Sequence, residues 1–210
     1  MLFKILLNIA IQQNCSDKDD VKQILYDKYH ASITSIDIIS RSNGSTFCDL
    51  PDLAYSYDDM VERDFVGEQE RPKSFDAISI CGIYVNFIEF KSGKINKKTR
   101  DDIRYKLAEG LHYLERCILH ESFINNNKLK LRFVLVYSKK ANAELVLEKQ
   151  RKYQRQLNES ILSLGHVQEY QPFIGSKYTE KLHYVDEAKS LNEEEFIASK
   201  SKYIGDITMQ

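Results

Sequence analysis

Residues 74–91 constrain the fold more than any other stretch, because they hold two apolar runs with a glycine between them. The runs 75–80 and 83–91 are rich in β-branched and aromatic residues, which predicts two strands, with Gly82 at the turn of a hairpin. Such a hairpin brings Asp76, near its beginning, close to Glu89 and Lys91, near its end. Since side chains alternate along a strand, Glu89 and Lys91 lie on one face.

The elements around this hairpin predict the fold class. A helix is expected over 54–66, a long amphipathic helix over 97–120, and a buried apolar strand over 129–137. A strand–helix–strand crossover from 83–91 to 129–137 requires a parallel pair inside a mixed sheet. The sequence therefore predicts an α/β fold, a mixed β-sheet flanked by helices on both faces.

The flanking regions are less regular. The apolar segment 2–11 is expected to be a core element, 17–30 a helix, 33–39 a strand and 42–45 a turn. After the central strand, a charged helix is expected over 141–158, two weak strands near 170–174 and 182–185, and a short helix near 192–201. We expect a single domain over residues 1–210, with its core at about 54–138.

Composition excludes several classes of protein. With 210 residues, 42% of them hydrophobic and 29% charged, the chain is expected to be globular. A net charge of −1 argues against a protein that coats nucleic acid by bulk charge. The four cysteines lack the paired spacing of zinc sites, and the N-terminal apolar run lacks both a cleavage site and the length to cross a bilayer. We expect reduced cysteines, no membrane association and a cytoplasmic location.

Asp76, Glu89 and Lys91 have the chemistry of a phosphodiesterase site. Two carboxylates, with the Phe90 backbone carbonyl as a further ligand, suit Mg²⁺, with Mn²⁺ as a substitute. Lys91 then orients water or stabilises charge on the phosphate. The plainer interpretation is an exposed ion pair at a strand end. Two similar triplets are set aside on context: 20–22 lies in a helix, and 187–189 has no apolar strand leading into it.

The order of these elements and motifs resembles the PD-(D/E)xK nuclease superfamily over residues 54–137. The string IEFKSGK at 88–94 is similar to the family's usual form, in which a small residue follows the lysine. The resemblance implies a restriction-endonuclease-like fold and metal-dependent hydrolysis of nucleic acid, with Asp76, Glu89 and Lys91 as the catalytic core. Phe75, and not proline, precedes Asp76, a position at which members of the family often lack proline. Pro51-Asp52 matches the dipeptide literally, but it lies far upstream in an expected loop.

The resemblance also implies accessory residues. Many members add an acidic residue from the helix before the hairpin, and Glu62 is the first candidate, with Asp58 and Asp59 as alternatives. Basic residues near the following helix are candidates for binding nucleic acid: Lys94, Lys97, Lys98, Arg100, Arg104 and Lys106. Ordinary solvated charged faces would give the same pattern.

We therefore expect a Mg²⁺-dependent nuclease acting on DNA, in a bacterial or phage setting. Cleavage of both strands of a duplex with one site per chain would favour a homodimer. Two alternatives stay open. One is a catalytically inactive module that keeps the fold and binds nucleic acid or protein, and the other is an RNA-cleaving effector.

Overall fold

The computed structural model describes residues 18–42, 44–68, 70–115, 129–160, 171–173 and 185–207. Within these residues one sheet has six strands. They are β1 (Ile33–Ser35), β2 (Leu53–Ser56), β3 (Ala77–Cys81), β4 (Tyr84–Lys91), β5 (Lys130–Tyr137) and β6 (Glu187–Asn192).

The strands lie side by side in the order in which they occur along the chain. β1 to β4 pair as antiparallel neighbours, whereas β4 pairs with β5, and β5 with β6, in parallel. The predicted parallel pair is thus β4 and β5, joined through the long helix. The α/β class with a mixed sheet is confirmed.

Helices cover both faces of this sheet. The described helices are α1 (Lys18–Tyr29), α2 (Ile36–Ile39), α3 (Tyr57–Asp64), α4 (Lys97–Tyr113), α5 (Lys139–Ser160) and α6 (Glu193–Ala198). Leu25 of α1, Met60 of α3 and Leu107 of α4 pack on one face, which we call the α4 face. Ile36 of α2 and Phe196 of α6 pack on the other, the α6 face. None of the described helices combines the length and the apolar character needed to cross a membrane.

Alternation along the central strands separates the two cores. Val85 and Phe87 of β4 face the α4 side, while Ile88 and Phe90 face the α6 side. By the same period of two, Glu89 and Lys91 belong to the α4 face. The hairpin turns at Gly82, whose φ of 60° is the left-handed conformation that glycine adopts without strain.

The α6 face also contains buried polar side chains that the end of the chain satisfies. Ser79 of β3 and Asn86 of β4 both donate to the Tyr203 carbonyl, the latter over 3.0 Å. Arg132 of β5 donates to the Lys202 carbonyl over 2.9 Å. The segment after α6 therefore crosses three central strands and caps their polar groups.

Several sequence predictions need correction or fall outside the described residues. The strand expected over 33–39 is only β1, after which α2 begins. The helix expected over 54–66 begins three residues later, because its first residues complete β2. The predicted strand near 170–174 is not seen in its described part, 171–173. β6 lies instead in a polar segment for which no strand was predicted. The segment 2–11 and the strand expected at 182–185, except for Val185, lie outside the described residues, and Val185 is not in a strand.

Candidate functional site

The hairpin register brings Asp76 and Glu89 together. Ala77 pairs with Ile88, so the residue before β3 lies opposite Glu89. The Asp76 carboxylate accepts a hydrogen bond from the Phe90 N–H over 2.5 Å, which fixes it at the end of β4. Lys91 Nζ lies 2.5 Å from Glu89 Oε1. The structure thus places the three predicted residues in one cluster, which we call the carboxylate cluster (Asp76, Glu89, Lys91 and the residue described next).

A second lysine completes the carboxylate cluster from α4. Lys106 Nζ lies 2.9 and 3.0 Å from the two carboxylate oxygens of Glu89, and 3.7 Å from Asp76 Oδ1. Close packing of α4 allows this reach, since a Cβ on Gly110 would stand only 2.9 Å from the Phe75 ring. Lys106, one turn earlier on the helix, therefore places its ammonium between the two carboxylates.

The Phe90 carbonyl points toward the same side as Asp76. The N–H and C=O of one strand residue point to the same neighbouring strand, and the Phe90 N–H already meets Asp76. The Lys91 carbonyl, by contrast, accepts from Ser138 N at 3.0 Å, beside β5. The predicted backbone ligand is therefore on the correct side of β4 for a cation shared with Asp76.

Burial and mutual charge perturb the cluster. Glu89 has no exposed side-chain surface and Asp76 is 19% exposed. Burial, and then the Glu89 carboxylate, raise the pKa of Asp76 to about 7. Burial lowers the pKa of the Lys106 ammonium, but the Glu89 and Asp76 carboxylates outweigh it and leave that pKa raised. Strongly shifted pKa values are typical of functional sites, and structural ion pairs shift pKa values as well.

The acidic residues of α3 lie differently from the first expectation. Glu62 pairs with Arg71 at 3.1 Å and its side chain is 65% exposed, so the structure does not bring it to the cluster. Asp58, an alternative to Glu62, accepts a hydrogen bond from Ser74 and its charge helps raise the Lys106 pKa. Because β2 extends to Ser56, α3 starts at Tyr57, and its first turn carries Asp58 next to the segment that leads to Asp76.

Two competing motifs lie elsewhere. Asp52, of the literal Pro51-Asp52 dipeptide, pairs with Lys200 at 2.6 Å. Glu187 and Lys189 do lie on a strand, β6, which corrects the reason for setting them aside. Glu187 contacts Arg132 at 2.7 Å, and Arg132 belongs to the α6 face by alternation with Phe133. The second Glu-x-Lys pair of the sheet therefore faces away from the carboxylate cluster.

The predicted basic residues divide into three groups. Lys94, Lys97 and Lys98 are exposed before and within the first turn of α4. Arg104 is also exposed and pairs with Asp101 at 2.7 Å. Arg100 is half-buried; burial is the larger cause of the lowered pKa of Lys149, and the charge of Arg100 is the second. Lys106 lies inside the cluster instead of on the outer surface. A signal for this was present in the sequence: positions 103, 106, 107 and 110 share a helical face, so Lys106 falls on the buried stripe.

The donor chemistry fits a hard divalent cation, although the ligand set is small. Among the described residues, no group of three or more His, Cys, Asp or Glu side chains is arranged to hold a metal ion. Two carboxylates and a backbone carbonyl are fewer than that, and Mg²⁺ commonly keeps several waters. The Lys106 ammonium between the two carboxylates shows that this position attracts positive charge.

Comparison with known proteins gives no relative. No protein-family model matches the chain, no curated protein matches its sequence, and no solved structure matches its fold. The resemblance to PD-(D/E)xK nucleases therefore depends on the residues and element order described above.

Proposed function

We propose that the chain is a metal-dependent nuclease of the PD-(D/E)xK type, whose centre is the carboxylate cluster. One observation carries this proposal: Asp76 and Glu89 meet at the end of β4, with the Lys91 ammonium 2.5 Å from Glu89. A buried pair of carboxylates with an added lysine is costly to fold unless it has a partner cation. Metal-dependent cleavage of a phosphodiester would use the two carboxylates, the lysine and such a cation together.

Each group then has a separate task. Asp76, Glu89 and the Phe90 carbonyl would hold Mg²⁺, which supplies charge stabilisation at the phosphate and a more acidic bound water. Lys91, 24% exposed, can turn its ammonium toward a phosphate oxygen while remaining beside Glu89. Lys106 leaves its position between the carboxylates and keeps its positive charge near the substrate. Lys94, Lys97 and Lys98 offer exposed ammoniums to neighbouring phosphates.

The test is a cleavage assay on labelled single-stranded DNA, duplex DNA and RNA, with Mg²⁺, with Mn²⁺ and with EDTA. Wild-type protein should cleave DNA only with the metal, and Lys91→Ala should reduce the rate by about a hundredfold or more. Lys189→Ala is a matched control, since Lys189 has the same Glu-x-Lys spacing and 23% exposure on the opposite face. Wild-type activity that Lys91→Ala leaves unchanged would contradict the assigned site.

A second candidate function is a nucleic-acid-binding module that does not cleave. The position of Lys106 favours it, because an ammonium that stays on both carboxylates would replace the metal permanently. Such a protein would bind nucleic acid in EDTA and in Mg²⁺ alike, and cleave nothing in either. Absence of cleavage of all three substrates under varied salt would favour this candidate and refute the nuclease.

A further inference from the structure

A cleft of about 260 Å³ lies directly beside the carboxylate cluster. One wall consists of cluster residues and the chain that follows β4: Asp76, Phe90, Lys91, Ser92 and Gly93. The other wall comes from the segment after α2, whose role the sequence left open: Ile39, Ser40, Arg41, Ser42 and Phe47. Asp76 and Lys91 line this cleft, so a ligand can reach the carboxylate cluster through it although Glu89 itself has no exposed side-chain surface.

The second wall is held firmly in place. Ser42 and Ser45 exchange backbone hydrogen bonds of 2.9 and 3.0 Å, which close a tight turn. Ser40 Oγ accepts from Cys48 N at 3.0 Å and donates to the Cys48 carbonyl at 3.2 Å, so the chain before the turn is fastened to the chain after it. The Phe47 ring meets the Phe90 ring edge to face, with centroids 6.3 Å apart, which attaches this wall to β4.

Arg41 is the cationic side chain of that wall. Its side chain is 55% exposed and forms a loose ion pair of 3.6 Å with Asp37. A guanidinium has five N–H donors arranged to match phosphate oxygens, and one distant carboxylate leaves most of them available. The cleft thus combines a phosphate-binding cation, an aromatic ring and serine hydroxyls beside Asp76 and Lys91.

We propose that this cleft binds one nucleotide of a single nucleic-acid strand, next to the phosphate at the carboxylate cluster. Arg41 binds the adjoining phosphate, and the hydroxyls of Ser42 and Ser92 contact the sugar and the edge of the base. At about 260 Å³ the cleft suits part of one nucleotide of a flexible strand better than a stacked base pair. The inference rests on the proposed nucleic-acid site and names the form of substrate that the site takes.

Binding measured in EDTA tests this independently of cleavage. Fluorescence anisotropy of labelled single-stranded DNA, single-stranded RNA and duplex DNA is followed for wild type, Arg41→Ala, Arg41→Lys and Arg71→Ala over a range of salt. Arg71 is a matched control, since it is 43% exposed and pairs with one carboxylate, Glu62. Arg41→Ala should weaken single-strand binding about tenfold and make the slope of log K against log salt shallower by about 0.7, the value for one phosphate contact. Arg41→Lys should restore most of the slope, and Arg71→Ala should match wild type.

The outcomes separate this inference from the proposed function. Equal affinity and slope in Arg41→Ala and Arg71→Ala would overturn it, as would failure of the wild type to bind any strand, or an equal loss on duplex DNA. Arg41-dependent binding without Mg²⁺-dependent cleavage would instead refute the nuclease and support the cleft. Dependence on Arg41 with DNA alone, with RNA alone or with both supports the inference and identifies the sugar.

Discussion

The Glu89 side chain has no exposed surface, and its carboxylate forms ion pairs with two ammonium groups. Lys91 contacts one of its oxygens and Lys106 contacts both. In a buried position, such a charge is tolerated because its partners replace the water it has lost. Removing the charge at Glu89 leaves two cations near each other with Asp76 as their remaining acidic neighbour in the cluster.

We therefore predict that Glu89→Gln lowers the free energy of unfolding by about 3 kcal/mol in metal-free buffer. Urea denaturation followed by circular dichroism measures this value. Glu62→Gln is the control, because Glu62 is 65% exposed and its pair with Arg71 is a surface ion pair, worth less than about 1 kcal/mol. Equal effects of the two substitutions would show that the Glu89 network contributes nothing beyond a surface pair.

Asp76 gives the cluster a dependence on pH. Its pKa rises to about 7 in the folded chain, first through burial and then through Glu89, against a value of about 4 in the unfolded chain. The folded state therefore binds more protons between those values, so it loses stability as pH rises from about 4 to about 7 and changes little through this group above that.

Asp76→Asn should remove this dependence, since an amide does not ionise but can still accept a hydrogen bond from the Phe90 N–H. In EDTA, the stability of wild type relative to Asp76→Asn should fall steadily from pH 4.5 to pH 7 and then level off. Urea denaturation at several pH values checks the trend. A difference that stays constant, or that grows in favour of the wild type with pH, would contradict the raised pKa.

Helix α4 supplies the positive charge between the two carboxylates. The helix starts at an Asn96 cap, whose side chain accepts from Thr99 N at 3.0 Å, and it packs closely at Gly110. Those two features fix which helical face is turned to the sheet and place Lys106 over the end of β4. The ammonium and a divalent cation would then compete for the same oxygens.

We predict that Lys106→Met tightens Mn²⁺ binding at least tenfold, because the metal no longer displaces an ammonium. Thermal unfolding at increasing Mn²⁺ should show a larger rise in Tm for Lys106→Met than for wild type, even though the variant is less stable without metal. Arg104→Met is the control on the same helix, with its side chain 43% exposed. An unchanged metal response in Lys106→Met would mean that the carboxylates do not hold the cation.

The sequence predicted elements well where a strand is buried on both faces or a helix has one apolar stripe. Strands β3, β4 and β5 and helix α4 follow from apolar runs, Gly82 and helical spacing, and the cluster of Asp76, Glu89 and Lys91 follows from them. The prediction that a helix begins at residue 54 was wrong. Ala54, Tyr55 and Ser56 suit either a strand or a helix, and pairing with β3 decides for the strand β2. β6 was missed because its sequence, EAKSLN, is polar, and its place beside β5 depends on partners such as Arg132.

The site lies where the sheet changes from antiparallel to parallel pairing. β4 is the strand shared by both arrangements, so its end meets the segment that enters β3 on one side and the end of β5 on the other. Residues Ile39 to Ser42 and Phe47 form one wall of the cleft beside it, a long-range placement that no local pattern in the sequence indicates.

The cap over the α6 face has a consequence for the order of events during synthesis. Ser79, Asn86 and Arg132 find their carbonyl partners 124, 117 and 70 residues later in the chain. While the ribosome is still making the region after β5, these polar groups have no such partners and must stay hydrated. The carboxylate cluster consists of residues that precede β5 and can assemble at that stage, whereas the α6 face closes only when Lys202 and Tyr203 leave the exit tunnel.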